Sequence, residues 1–288
     1  MTFGVGIPAY RNVESLRRCL QSAASHSVEL ASRLTVTDDS GDGRLAAALK
    51  SEFPQVRWIV HEQNVGFGAS ANDCVRATPA DVVILLNDDA ELESDPLPHL
   101  RSAFQDETLF AATFQSVLRD GRFREGAKRL VWPLGFPRIL HNPEDQLPSV
   151  NGVQPSAYAV GGHAAFRRLR FLELGGFDPL FAPFYWEDVD LAERARRAGL
   201  RVIYLPQCQV VHDGDSAIRS AHREEFLREI TLRNRLLFAW RHARGTQWVL
   251  HQVSLAYHLL LSFLPAHRVF RRAFDSARKR CDEFSRSA

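Results

Sequence analysis

The 288-residue chain has few of the features that mark the commoner enzyme and membrane classes, and each absence excludes something. Its four cysteines, Cys19, Cys74, Cys208 and Cys281, stand far apart without a CxxC pair. They read as reduced packing residues of a cytosolic protein and not as a disulfide framework. No HExxH or paired CxxC pattern indicates zinc, and no Walker A loop, GxSxG elbow or GxGxxG after the first strand is present. Walker NTPases, serine hydrolases and nucleotide-dependent oxidoreductases are therefore disfavoured. A sugar-nucleotide-forming nucleotidyltransferase is disfavoured too, because IPAY stands where its glycine-rich, arginine-bearing loop would be. The start MTFGVGIPAY lacks a basic stretch followed by a long apolar core, so no secretory signal is expected. The most apolar late segment, Gln247 to Leu264, is broken by His251, Gln252, Ser254, His258 and Ser262, which argues against a transmembrane span. A formal net charge of +2 gives no general affinity for nucleic acid.

What the chain has is 45% hydrophobic residues, ample for a sizeable core, and a regular alternation of strand-like and helix-like segments up to about residue 90. FGVGI, LTVT, VRWIV and VVILL alternate with helical patterns over Glu14 to Ala24, Leu45 to Phe53 and Gly68 to Ala77. That βαβ series predicts a mostly parallel sheet with its ligands at the strands' C-terminal ends. A helix near Pro96 to Phe104, a strand from Leu109 to Leu118 and an irregular, arginine-rich stretch from Arg119 to Ser156 follow. The irregular stretch is too long for an idle connection and reads as a loop over a binding site, with its basic residues on a solvated face. Regular structure resumes at SAYAVGGHAAFRR, and from Ser220 the chain reads as two or three helices.

Two acidic clusters carry the chemistry. The apolar run Val82 to Leu86 ends abruptly in Asn87, Asp88 and Asp89, and about 100 residues later Glu187, Asp188 and Asp190 open a helix in FYWEDVDL. Carboxylates delivered by a buried strand suit a hard divalent ion, Mg²⁺ or Mn²⁺, on a diphosphate, with Asp89 the first-choice ligand. His212, ending the strand QVVH, is a second metal candidate, followed by Asp213 and Gly214. Asp38 and Asp39 of TDDSGDG fit hydrogen bonds to a ribose or base, while Arg11 and the glycine-bearing loop NVGFGASAN suit phosphates. Asn64 and Gly66 of that loop, with Asn87 and Asp88, complete the expected donor side. A leaving diphosphate needs its charge neutralised, and an attacking hydroxyl needs a separate carboxylate to take its proton. Asp89 and Asp188 divide that labour, with Glu187 steadying the base. Trp186 and Tyr185 offer faces for a sugar ring or serve as core aromatics, and Gly162 and His163 mark a close acceptor approach. Asp178 of GGFDPLF reads as a loop cap.

IPAY, TDDSGDG, NVGFGASAN, LLNDDAEL, GGFDPLF, FYWEDVDL and QVVH occur in the order seen in family-2 inverting glycosyltransferases of the GT-A fold, and the chain resembles that family from residue 3 to about 243, where RNRLLFAWRH is similar to its following helix. It looks most like the bacterial rhamnosyltransferase-like and galactofuranosyltransferase-like members that build cell-surface polysaccharide. The resemblance implies that Pro8, Ala9, Tyr10 and Asp39 line the nucleoside pocket, that Asp89 holds the metal, that Asp188 is the general base, and that His212 is a further metal ligand or phosphate contact. Two departures are visible: TDDSGDG is one residue shorter than the usual DxGSxDG, and the metal cluster is NDD in place of DxD. The expected organisation is a GT-A catalytic domain over 1–219, split into a nucleotide-sugar half (1–118) and an acceptor half (119–219), with a helical extension over 220–288. The expected partners are a dTDP- or UDP-sugar donor and a glycan or lipid-linked acceptor. The rival is a non-catalytic nucleotide-sugar-binding subunit, which would have no use for both Asp89 and Asp188.

Near the C-terminus, Val249, Leu250, Val253, Ala256, Leu259, Leu260, Phe263 and Leu264 share one helical face opposite His251, Ser254, His258 and Ser262. A face that broad is expected to be covered, by the catalytic domain, by a second copy in a homodimer, or by the cytoplasmic membrane. The basic run Arg268, Arg271, Arg272, Arg278, Lys279 and Arg280 favours the inner face of the plasma membrane.

Overall fold

A computed structural model describes residues 1–141, 152–212, 223–262, 264 and 267–287. The N-terminal half follows the expected alternation: β1 (Phe3–Ala9), α1 (Val13–His26), α2 (Val28–Ala31), β2 (Leu34–Asp38), α3 (Arg44–Leu49), β3 (Arg57–Val60), α4 (Phe67–Ala77) and β4 (Val82–Leu86). The strands pair in parallel in the order β3-β2-β1-β4. All five residues of β4 are buried, and each such side chain contributes about 1.5–3 kcal/mol. The run stops at Asn87 because polar side chains there reach the sheet's end, which is where β4 delivers its carboxylates.

Next come β5 (Glu91–Leu92), α5 (Leu97–Ala103) and β6 (Leu109–Val117). The stretch expected to be irregular is partly ordered, with β7 (Phe123–Glu125) pairing with β6 and with β8 (Lys128–Val131) and β9 (Arg138–His141) forming a separate antiparallel hairpin. Half-buried residues at most positions of so short a hairpin give little periodicity to read. Then follow β10 (Gln154–Pro155), β11 (His163–Arg167), α6 (Arg168–Glu173), α7 (Glu187–Arg197) and β12 (Arg201–Val211). The two strands expected in RVIYL and QVVH are one strand, with an irregularity between Leu205 and Gln209 where its pairing to β6 shifts register. β11 runs antiparallel between β4 and β6, so the start of β11 and the ends of β4, β6 and β12 meet at one edge.

Three helices close the described chain: α8 (Glu224–His242), α9 (Gly245–Leu260) and α10 (Arg268–Ser287). The expected boundary at 219/220 and the residues Asp213, Gly214 and Phe263 lie outside the described residues. Helix α8 packs Leu236, Leu237 and Phe238 into the core cluster that contains Trp186 and Val189 of the acidic segment.

Helix α9 reverses the expected burial. His251 is fully buried, its Nδ1 3.1 Å from the Gly135 carbonyl and its ring 4.9 Å from that of Phe136. Ser254 Oγ donates to the Leu134 carbonyl at 2.5 Å, and His258 stacks on Phe270 of α10 at 4.6 Å. Val253, Tyr257 and Leu260 are 58–75% exposed, as is Leu134 at 74%. The polar residues turn inward because the β8–β9 loop presents bare carbonyls that need partners. Within this chain the apolar face is thus left largely exposed, so of the expected covers the catalytic domain supplies little. The basic run is also largely engaged: Arg271 pairs with Asp275, Arg272 with Glu225 and Glu229, and Arg280 donates to the carbonyls of Pro179 and Leu180. No helix among the described residues is long and apolar enough to cross a membrane.

Candidate active site

The donor side is built on loops after β1, β2 and β3. Pro8 and Ala9 are buried strand residues in register with Thr37 and Asp38, which leaves Tyr10 and Arg11 accessible. The Arg11 guanidinium lies 4.6 Å from the centre of the Tyr10 ring. Tyr10 N donates to Asp88 Oδ2 at 2.8 Å, and burial pushes the Asp88 carboxyl up to about 7. Asp88 therefore ties the β1 loop to the β4 loop.

Asp38 corrects its expected role. It is fully buried, with Oδ1 accepting from Ser40 N and Oγ at 3.1 and 2.5 Å, and Oδ2 from Leu45 N and Ala46 N at 3.0 and 2.9 Å. Every strong acceptor direction serves its own loop and the start of α3, so no ribose contact is left to it. Asp39, 4% exposed, accepts from Val65 N at 2.8 Å and Gly66 N at 3.0 Å and lies 2.9 Å from His61 Nδ1. It holds the 61–66 loop in place, and Asn64 Nδ2 bonds its carbonyl at 3.4 Å. Gly66, at φ 88°, occupies the left-handed region in front of α4.

Asn87 N donates to the Gly162 carbonyl at 2.7 Å, and a Cβ on Gly162 would fall 2.3 Å from Asn87 Cγ. Gly162 is small to admit Asn87, which corrects the reading of it as an acceptor contact. Asp89 Oδ1 lies 3.0 Å from His212 Nε2. Burial opposes its charge, but His212 and then Arg124 hold the Asp89 carboxyl below its ordinary value. His163, expected on the acceptor side, opens β11 beside this pair, its ring centre 6.0 Å from that of His212. Burial pushes His163 down to about 3, so it is a neutral imidazole. Glu125, at the end of β7, places Oε1 3.6 Å from His163 Nε2 and accepts at Oε2 from the buried Lys128 Nζ at 2.7 Å. Burial would raise the Glu125 carboxyl, yet the Lys128 ammonium beside it holds it far below the usual carboxylate range. Both ring nitrogens of His163 and of His212 are buried without a hydrogen-bond partner among the described residues. Orphaned imidazoles next to two charged carboxylates are a donor set that fits a divalent cation.

On the acceptor side, FYWEDVDL enters α7 through two non-glycine residues in the left-handed region, Tyr185 at φ 74° and Trp186 at φ 75°. Such backbone persists only where its surroundings fix it. Asn234 of α8, fully buried, does so: its Nδ2 lies 2.7 Å from the carbonyls of Phe181 and Tyr185 and 3.0 Å from that of Phe184. Trp186 is a core residue, 7% exposed with its ring 5.1 Å from Phe238, which corrects the alternative of a sugar-stacking platform. Tyr185 is half-buried with its ring edge on Phe184.

Burial pushes Asp188 up to about 6, opposed by the amides of Val189 and Gly161. Glu187 is buried beside it and is raised well above the ordinary range, first by burial and then by the Asp188 charge. Its Oε2 has no hydrogen-bond partner among the described residues. Glu125 acts electrostatically on both Asp188 and His212. Asp178 caps the turn at Leu180 N at 2.8 Å and pairs with Arg241, as read from the sequence. Glu125, Lys128 and Asn234 were missed. Only Asn234 left a signal, a lone amide in an otherwise apolar and basic helical run.

A sheet in the order β10-β12-β6-β11-β4-β1-β2-β3 flanked by helices has the GT-A fold. Residues 4–171 match the model of "Glycosyl transferase family 2", and the chain belongs to that family. It is 25% identical over 282 residues, 85% of this chain and 88% of the relative, to the N-acetylglucosaminyl-diphospho-decaprenol L-rhamnosyltransferase of Mycobacterium tuberculosis. Among solved structures, GalNAc-T7 with UDP, GalNAc and Mn²⁺ superposes at a TM-score of 0.63 and 16% identity, over 83% of this chain and 47% of that one. The chain thus spans about half the length of that neighbour. The mannosyltransferase PcManGT of Pyrobaculum calidifontis, with GDP-Man and Mn²⁺, superposes at 0.57 and 15% identity over 97% and 86%. These likenesses establish the fold.

Proposed function

We propose that the protein transfers a sugar, with inversion, from a dTDP- or UDP-sugar to a lipid-linked or glycan acceptor in cell-surface polysaccharide synthesis. The observation that carries this reading is the opposite treatment of two carboxylates. Asp89 is held charged by His212 and Arg124, while burial raises Asp188 to about 6. Divergent environments of this kind separate a permanently charged group from one that takes up a proton near neutral pH.

Asp89 and His212 would hold the cation, Mg²⁺ or Mn²⁺, and Tyr10, Arg11 and the start of α4 would flank the donor. Bound there, a divalent ion supplies charge neutralisation at the leaving diphosphate. Asp188 accepts the proton of the acceptor hydroxyl as its oxygen attacks the anomeric carbon from the face opposite the diphosphate. Glu187, raised by burial and by the Asp188 charge beside it, would steady the base. Asn234 fixes the loop from which Asp188 projects.

The lipid-linked acceptor is supported by the relative's decaprenol-linked substrate and by the outward apolar face of α9. Leu134, also exposed, lies at the turn of the hairpin whose other end carries Lys128 beside Glu125. A chain docked on the cytoplasmic membrane through this face would receive its acceptor along the hairpin. The test is a panel of UDP-, dTDP- and GDP-sugars with Mn²⁺ or Mg²⁺ and a polyprenyl-diphosphate-sugar acceptor, scored by nucleoside diphosphate released. Acceptor-stimulated release arrested by EDTA is expected. Tight donor binding without turnover on every acceptor would favour the binding-subunit reading.

A further inference from the structure

His163, Glu125 and His212 come from three separate strand ends, and their ligand atoms lie within 4.8 Å of one another. Both imidazoles are almost completely buried, at 1% and 5% exposure, and none of their four ring nitrogens has a hydrogen-bond partner among the described residues. A buried neutral imidazole normally places at least one of its two nitrogens on a partner. Asp89 Oδ1, at 3.0 Å from His212 Nε2, falls outside hydrogen-bonding geometry with it. Two adjacent ligands of a six-coordinate ion with bonds of about 2.1 Å stand about 3.0 Å apart, which is the spacing of this pair. On the other flank Lys128 holds Glu125 Oε2 and leaves Oε1 turned to His163.

We propose that Glu125 and His163 join His212, with Asp89 beside it, in holding one cation, and that this pair of imidazoles makes the site selective for a transition ion such as Mn²⁺ over Mg²⁺. The proposal rests on the reading of Asp89 and His212 as the cation site of the transferase and names two further ligands for it. Mg²⁺ is hard, sheds its waters reluctantly and is met by one or two carboxylates, whereas imidazole nitrogen favours first-row transition ions. Lys128 acts through Glu125 as a positioning residue, because its bond to Oε2 decides which oxygen faces the imidazoles.

The experiment uses the full chain stripped by chelator, with no donor present. Mn²⁺ binding is followed by the loss of the free-ion electron paramagnetic resonance signal, and Mg²⁺ by competition. Wild-type protein should bind Mn²⁺ at least about 10-fold more tightly than Mg²⁺, and Glu125→Gln and His163→Gln should each weaken Mn²⁺ at least about 10-fold while changing Mg²⁺ less. Melting curves in chelator check that the variants fold. Should one fail to fold, spin-echo modulation of Mn²⁺ on the wild-type protein decides: coupling to two imidazole nitrogens supports the proposal, and coupling to one overturns it. Unchanged Mn²⁺ affinity and selectivity in both folded variants would also overturn it. The underlying reading is judged separately, by loss of Mn²⁺ binding in Asp89→Asn and by donor turnover in the wild type.

Discussion

His242 Nε2 lies 2.7 Å from Asp190 Oδ1, so the last turn of α8 is fastened to the first turn of the helix that carries Asp188. Asp190 is fully buried and also pairs with Arg194 at 2.8 Å and Arg241 at 3.0 Å. Burial opposes its charge, but His242 and the two arginines hold its carboxyl below the ordinary value. Removing one partner of such a cluster strands the others, at about 3–5 kcal/mol. Asp190→Asn should therefore lower the melting temperature by about 6 °C or more at pH 7. A melt within 2 °C of wild type would show that the cluster does not hold the two helices.

Asn234→Ala removes the amide that spans the carbonyls of Phe181, Phe184 and Tyr185. The left-handed pair Tyr185 and Trp186 then loses its brace, and Asp188 loses its aim. We expect kcat to fall about 10- to 100-fold with donor Kd nearly unchanged, since misplacement near the reacting atoms costs rate on this scale. Steady-state kinetics beside calorimetric titration of nucleoside diphosphate separates the two quantities.

Asp188 works as a base only when charged, so the rate should rise with pH through about 6 and then level off. Asp188→Asn should lose at least about 100-fold in rate together with that limb. Stability moves oppositely. The folded carboxyl titrates above its ordinary value of 3.8. Its contribution is therefore complete below about pH 4 and lost as pH rises through about 6. At pH 8 Asp188→Asn should melt about 2 °C or more above wild type, and the gap should close at pH 4. A variant equally stable at both pH values would contradict this assignment.

Asp89→Asn removes the carboxylate beside His212. Donor binding that depends on added metal should weaken at least about 10-fold, in contrast to Asp188→Asn, where it should hold. Equilibrium binding of a nucleoside-diphosphate sugar with and without Mn²⁺ distinguishes them.

If the exposed face of α9 meets a bilayer, the full chain should float with anionic vesicles, and Val253→Asp with Leu260→Asp should abolish flotation without changing the circular dichroism. Because Arg271, Arg272 and Arg280 are engaged within the protein, the salt dependence should be modest. A chain that ignores vesicles but runs as a dimer, and as a monomer once both residues are changed, would assign the face to a second copy.

The sequence alone determined the frame of the site. A run such as VVILL closed by NDD can only be a buried strand ending in polar groups, and acids at the start of FYWEDVDL suit a helix N-terminus whatever surrounds them. Cap chemistry and periodicity act between near neighbours, so the strand end before Asp89, the helix start at Asp188 and the cap at Asp178 were legible. Asp38 and Trp186 were misassigned because nothing local says whether a carboxylate is satisfied by its own loop or whether an aromatic meets a partner such as Phe238. Only the sheet's crossovers bring Glu125, His163 and His212 together, through residues scattered over nearly ninety positions of chain. The period of α9 fixed which residues share a face, but which face turns inward was decided by the bare carbonyls of Leu134 and Gly135, whose need for hydrogen bonds drew His251 and Ser254 inside and left the apolar residues out.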